Sequence, residues 1–149
     1  MQFKNYLNPA ILFLRIAIAV PYLFFVSDRL GFIGKPGQPH VSWGDFPHFI
    51  KATAQTISFM PPSTAPFFAV AATLCESSFG LLLLIGLFTR FAAIGSSILA
   101  MLFGISMAIS AGIDSPLGYS VFTLSAASLL LSAMPQYIWS LDNLLFKTK

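Results

Sequence analysis

Two ionisable side chains, Arg15 and Glu76, stand inside long apolar runs of this 149-residue chain. A charge at the centre of a bilayer costs roughly 2.5–3.5 kcal/mol, so such residues mark places where groups pair, bind ligands or move protons. Thr73, Glu76, Ser77 and Gly80 recur at i, i+3, i+4 and i+7, which places them on one polar helix face. Arg15, Ala19, Tyr22, Val26 and Arg29 share a face of an earlier segment in the same way. If the two segments run antiparallel, Tyr22 falls at nearly the depth of Glu76. Arg15 then lies about 9 Å lower, within reach only if its side chain extends upward. The spacing predicts a buried cluster of Arg15, Tyr22 and Glu76, with Thr73 and Ser77 beside it. Such a cluster either fixes helix register as an ion-pair network or forms a proton-handling or head-group-binding site. Asp28 and Arg29 close the earlier segment, where they either anchor it at the interface or shape the outer mouth of the same cavity.

Other chemistry is sparse, and no residue can be assigned a catalytic role. His40 and His48, with Asp45 nearby, are the only histidines, and their spacing matches no zinc pattern, so no metal site is expected. Cys75 is the single cysteine and can form no intrachain disulfide. It reads as a packing residue. There is no phosphate loop or nucleophile elbow, and no histidine lies in an apolar run to ligate haem.

The elements that hold these residues follow from composition. The chain is 56% hydrophobic and only 9% charged, with a mean hydropathy of +0.81, whereas a soluble domain carries roughly 25% charged residues. Apolar runs at 9–28, 66–88, 91–111 and 117–134 each have about the length needed to cross ~30 Å of hydrocarbon as a helix. The expectation is one membrane domain over 1–149. It is all-α and integral to the membrane: a four-transmembrane-helix bundle, an extracytoplasmic amphipathic helix between spans one and two, and a short C-terminal interfacial helix. Thr89-Arg90 and Gly112–Pro116 are expected as tight turns between antiparallel neighbours. A signal peptide is the alternative reading of the N-terminus, but Arg15 interrupts its apolar region and a retained span is expected.

The outer loop, 31–65, opens with glycines and prolines. It then offers a helix capped by Asp45, with Phe46, Phe49, Ile50, Ala54 and Ile57 on one apolar face. Such a helix either lies on the membrane or lids the bundle. The tail after Pro135 repeats the device with Ile138, Leu141, Leu144 and Leu145. Ala92, Ser96, Ala100, Gly104, Ala108 and Gly112 put a small residue at every fourth position, and Ser125, Ser128 and Ser132 share a face. Both patterns suit close helix packing in lipid. Lys4, Arg90, Lys147 and Lys149 would lie on one side against Arg29, Lys35 and Lys51 on the other, which predicts cytoplasmic termini. The eight Lys and Arg are scattered, so the net charge of +3 implies no nucleic-acid partner.

The chain resembles the DoxX family of small four-helix membrane proteins. The resemblance rests on Arg15 in the first span, Ser27-Asp28-Arg29-Leu30-Gly31 closing it and Val41-Ser42-Trp43-Gly44 before the surface helix. It continues through Glu76-Ser77-Ser78-Phe79-Gly80, the run from Gly86 to Ala93, Gly112-Ile113-Asp114-Ser115-Pro116 and Tyr119-Ser120. It implies the bundle, a bacterial inner-membrane location and an association with thiosulfate:quinone or other redox systems, and it carries over no catalytic residue.

Three function classes stay open at this point. The chain is a non-catalytic subunit or anchor of a larger membrane redox complex, a stand-alone lipid- or quinone-binding or small-solute transport protein, or an enzyme in its own right. No intrinsic cofactor is expected; a quinone or lipid is the ligand the site would hold. The partners are the lipid bilayer and either further copies of the chain or a redox complex.

Overall fold

The long apolar runs become helices because a backbone in lipid must satisfy its own hydrogen bonds. A computed structural model describes residues 4–146, with side chains from Tyr6 onward. Lys147 and Lys149, used in the charge count, lie outside the described residues. The helices are α1 (Lys4–Arg29), α2 (Phe46–Thr56), α3 (Ala65–Ile85), α4 (Thr89–Ala111), α5 (Asp114–Gly118), α6 (Val121–Ser132) and α7 (Leu141–Leu145). A 3-10 turn at Pro62–Thr64 leads into α3.

Three stretches, Tyr6–Arg29, Pro62–Ile85 and Thr89–Ala111, are long and apolar enough to cross a membrane. The chain is a multi-pass membrane protein. Its surface is inverted relative to a soluble domain: Phe67, Leu74, Ile98, Leu102, Leu129 and Leu130 are exposed, while Arg15, Asp28, Arg29, Glu76, Thr89 and six serines are buried.

Three boundaries differ from the sequence expectation. The stretch Gly112–Pro116, expected as a tight turn, already holds the start of α5 at Asp114. The run at 117–134 does not form one helix. The chain leaves α5 at Gly118, passes Ser120 in a left-handed conformation (φ 56°) and restarts as α6. No charge or proline within the run marks that break. α6 has 12 residues, which at 1.5 Å per residue is about 18 Å, short of the hydrocarbon thickness. The turn expected at Thr89-Arg90 comes earlier, over residues 86–88. Gly86 adopts φ 73°, and its N–H and that of Leu87 both donate to the Leu82 carbonyl, so α3 stops at Ile85 and Thr89 opens α4.

α4 packs most extensively on α6, and α1 on α3. The α4–α6 contact is close because Ala92, Ser96, Ala100 and Gly104 face it, all buried. A Cβ at Gly104 would fall 2.7 Å from the Phe122 ring. Ser96 Oγ and Ser128 Oγ lie 2.9 Å apart, and Ser125 Oγ donates to the Ser97 carbonyl at 2.9 Å. Replacing Ser128 with alanine is expected to destabilise the bundle by about 0.6 kcal/mol, the average for an interhelical hydrogen bond in a membrane protein. Reversible unfolding in mild detergent would measure it, and a loss above about 2 kcal/mol would show that Ser128 does more than join two helices.

α2 covers one end of the bundle. Asp45 Oδ1 accepts the His48 N–H at 2.8 Å as its N-cap. That backbone bond and a second from the His48 ring hold the Asp45 carboxyl below the usual carboxylate range. The predicted apolar face turns inward, burying Phe49 and Ile57. Ser110 ties the end of α2 to α4, donating to the Thr56 carbonyl at 2.8 Å and accepting from the Ser58 N–H at 3.2 Å.

Candidate functional site

In an α-helix every Cα–Cβ bond tilts toward the helix N-terminus, so long side chains run back over the preceding turn. Arg29, the last residue of α1, therefore points back into the bundle. Its Nε donates to the Phe25 carbonyl at 3.1 Å, one turn back. Its Nη1 donates to Thr73 Oγ1 at 3.1 Å, and its Nη2 meets Glu76 Oε2 at 2.5 Å. The two side chains of this ion pair are 2% and 7% exposed, a burial that only a paired charge tolerates.

The same tilt decides against the predicted partnership of Glu76 with Arg15. Reaching Glu76 required Arg15 to extend toward the C-terminal end of α1, against its Cβ direction. Arg15 instead lies against Gly86 and Ser140 at the opposite end of the bundle, about 21 Å from Arg29 by helical rise. Asp28 and Arg29 are likewise no exposed interface anchor, being 0% and 1% exposed.

An aromatic roof closes the pair. The Arg29 guanidinium carbon lies 3.8 Å from the Phe49 ring centroid and 5.2 Å from that of Trp43. Trp43 packs edge-on against Phe49 at 4.9 Å and Phe25 at 5.7 Å. Asp28 holds this roof in place: its carboxylate accepts the backbone N–H groups of Ser42 and Trp43 at 3.2 and 2.8 Å. Asp28 thus positions the loop, and Arg29 holds the charge.

Tyr22 does not join Glu76 by a hydrogen bond. Its hydroxyl meets Ser96 Oγ at 2.9 Å, and Ser96 continues to Ser128, which makes a buried hydroxyl chain across α1, α4 and α6. Thr73 donates to the Ala69 carbonyl while accepting from Arg29. Ser77 is spent on the Thr73 carbonyl at 2.6 Å and adds nothing to the pair. Of the seven predicted site residues, Arg29, Glu76 and Thr73 converge, Asp28 supports them, and Arg15, Tyr22 and Ser77 lie apart.

A model of the DoxX family matches residues 10–110. The chain belongs to the DoxX family. The matched region runs from within α1 to nearly the end of α4, so the Arg29–Glu76 pair and its aromatic roof fall inside the DoxX domain, whereas α5, α6 and α7 lie beyond it. No curated protein and no solved structure matches the chain.

Two contributors to the DoxX site escaped the sequence reading. Phe49 and Trp43 were legible as an apolar face and a family motif, but nothing local points their rings at a cation. The arrangement offers a planar cation, a carboxylate, a hydroxyl and two aromatic faces beneath a short helix. Oε1 of Glu76 makes no hydrogen bond to the described residues and remains an acceptor. These groups can orient a polar head or a planar ring, because few convergent polar groups in an apolar surround give orientation and selectivity.

Proposed function

We propose that this DoxX-family protein is a non-catalytic membrane component of a redox-linked assembly, and that its Arg29–Glu76 site holds the polar head of a quinone or lipid. The observation that carries the reading is the buried pair roofed by Phe49 and Trp43. A quinone head presents carbonyl acceptors to a guanidinium and a flat ring to aromatic faces. A ligand would enter at the α2 end, where Asp28 and Ser110 fasten the roof.

In this reading α5 and α6 together make a fourth crossing. Asp114–Ser132 is 19 residues, about 28 Å if counted as one broken helix. Both chain ends face the cytoplasm of a bacterial inner membrane. Neutralisation of Arg29 by Glu76 leaves Lys35 and Lys51 as the free positive charges at the α2 end, which widens the charge difference toward cytoplasmic termini. A cleft of about 370 Å³ between α4 and α6, with Ser97 and Ser125 beneath Ile98, Met101, Leu102, Phe122 and Leu129, gives the lipid-facing side room for a tail or a partner helix. The second reading, stand-alone transport of a small solute, draws on the Tyr22–Ser96–Ser128 hydroxyl chain.

The test is purification of the tagged protein from its native membranes in mild detergent, with mass spectrometry of proteins and small molecules. The expected result is a stoichiometric redox partner and a retained quinone or lipid. Glu76→Gln should lower ligand retention at least tenfold, which is about 1.4 kcal/mol. A homo-oligomer that carries no ligand, or a Glu76→Gln variant that retains it fully, would overturn the proposal.

A further inference from the structure

The end of the bundle opposite Glu76 holds a second buried cation. Arg15 is 4% exposed, no carboxylate among the described residues lies within ion-pair distance of it, and its Nε is buried without a hydrogen-bond partner. Its guanidinium lies against Gly86; a Cβ there would fall 2.6 Å from Nη1. Thr89, three residues on, is fully buried, and its hydroxyl oxygen also lacks a partner. These are the two side-chain polar atoms among the described residues that are wholly closed off from solvent and lack a hydrogen-bond partner. Every buried serine hydroxyl, by contrast, is hydrogen-bonded.

Both atoms border one junction. The Asp142 N–H donates to the Gly86 carbonyl at 2.9 Å, and the Asp142 carboxylate accepts the N–H groups of Phe88 and Thr89 at 2.6 and 2.8 Å. Asp142 therefore caps α4 and is not paired with Arg15. Arg90, whose Nη2 donates to the Met134 carbonyl at 3.1 Å, adds a further cation. Arg90 is exposed to solvent, so Arg15 is the buried cation of this junction, near Asp142 but not in an ion pair with it.

A buried guanidinium with an unused donor and no ion-pair partner among the described residues, together with an unpartnered hydroxyl beside the same junction, suits an oxyanion. Guanidinium groups bind phosphate through charge-assisted hydrogen bonds, and a hydroxyl completes the contact. Water would satisfy the hydrogen bonds but leave the guanidinium without an ion-pair partner. We propose that Arg15 and Thr89 form a binding site for a phosphate-type oxyanion, separate from the Glu76 site, at the end of the bundle that carries α7. Its source is either the head group of an anionic phospholipid or free phosphate. Beside the junction, α7 and its approach expose Trp139, Leu144, Leu145 and Phe146, apolar groups suited to the membrane interface where lipid phosphates lie.

The test uses delipidated full-length protein in mild detergent. Native mass spectrometry reads the binding of phosphatidylglycerol against phosphatidylcholine, and thermal unfolding reads titration with inorganic phosphate against chloride. Preferential phosphatidylglycerol binding without a phosphate response identifies the lipid source; a saturable phosphate response identifies the free ion. In either case Arg15→Gln should bind at least tenfold more weakly and Thr89→Val about threefold more weakly, with Lys51→Gln unchanged. If Arg15→Gln does not assemble, Arg15→Lys and Thr89→Val decide the matter, since both keep the bulk of the side chain. Failure of both probes to bind the wild-type protein, or equal binding by the variants, would overturn the site.

Discussion

Glu76→Ala is expected to lower the folded stability of the protein by about 3–5 kcal/mol, the cost of breaking a buried ion pair from one side. The Arg29 guanidinium would remain beneath Phe49 and Trp43 with only Thr73 and the Phe25 carbonyl to accept from it. A cation that is 1% exposed cannot turn to water without lifting the roof that Asp28 secures. Arg29→Met should cost a similar amount by stranding the carboxylate. The pair of substitutions Arg29→Met and Glu76→Leu should recover most of the loss, because neither charge is then buried alone. Thermal unfolding in detergent reads the difference, at roughly 2–4 °C per kcal/mol for a chain of this size. A double variant as unstable as either single one would show that the pair is not the compensating unit. A stable double variant that no longer retains ligand would separate the structural part of the pair from its binding part.

The second large effect belongs to Gly86. Gly86→Val is expected to destabilise by about 2–5 kcal/mol, from two sources. A β-branched residue in the left-handed conformation costs roughly 1–2 kcal/mol, and forcing atoms into a filled site costs typically 1–3 kcal/mol. Gly86 has φ 73°, and a Cβ would fall 2.5 Å from Ser140 Cβ and 2.6 Å from Arg15 Nη1. Because the Gly86 carbonyl also accepts the Asp142 N–H, the damage should spread to the Asp142 cap of α4 and to the docking of α7. Amide exchange at Phe88, Thr89 and Asp142 should therefore quicken more than exchange in α2, at the far end of the bundle. Unchanged exchange at these amides, together with wild-type stability, would count against Gly86 as the point where α3, α4 and the C-terminal segment meet.

The parts of the fold that depend on near neighbours in the chain were legible from the residues alone. The apolar runs became helices because lipid leaves a backbone no other way to satisfy its hydrogen bonds. Asp45 and Pro47 start α2 through contacts within one turn, and its apolar face folds onto the bundle as the spacing predicts. The helix face of Thr73 and Glu76 was correctly read because i, i+3 neighbours share a side in any α-helix. The serine face of α6 was also correct in its two principal members, Ser125 and Ser128. The Arg29–Glu76 pairing was within reach as well, since the tilt of side chains toward the helix N-terminus favours Arg29 over Arg15.

Tertiary structure alone decided what joins residues far apart. Asp142 caps a helix that begins 53 residues earlier, and no local pattern in a five-residue amphipathic segment announces that role. Phe49 and Trp43 turn their rings to Arg29 only because Asp28 draws the intervening loop back onto α1. The break between α5 and α6 interrupts a run in which no charge or proline marks it. In each case the deciding energy comes from groups that meet after the helices have packed. Hydropathy and helical period describe one segment and its surroundings, whereas the partner of a buried charge or an uncapped helix end is set by where the other segments come to rest.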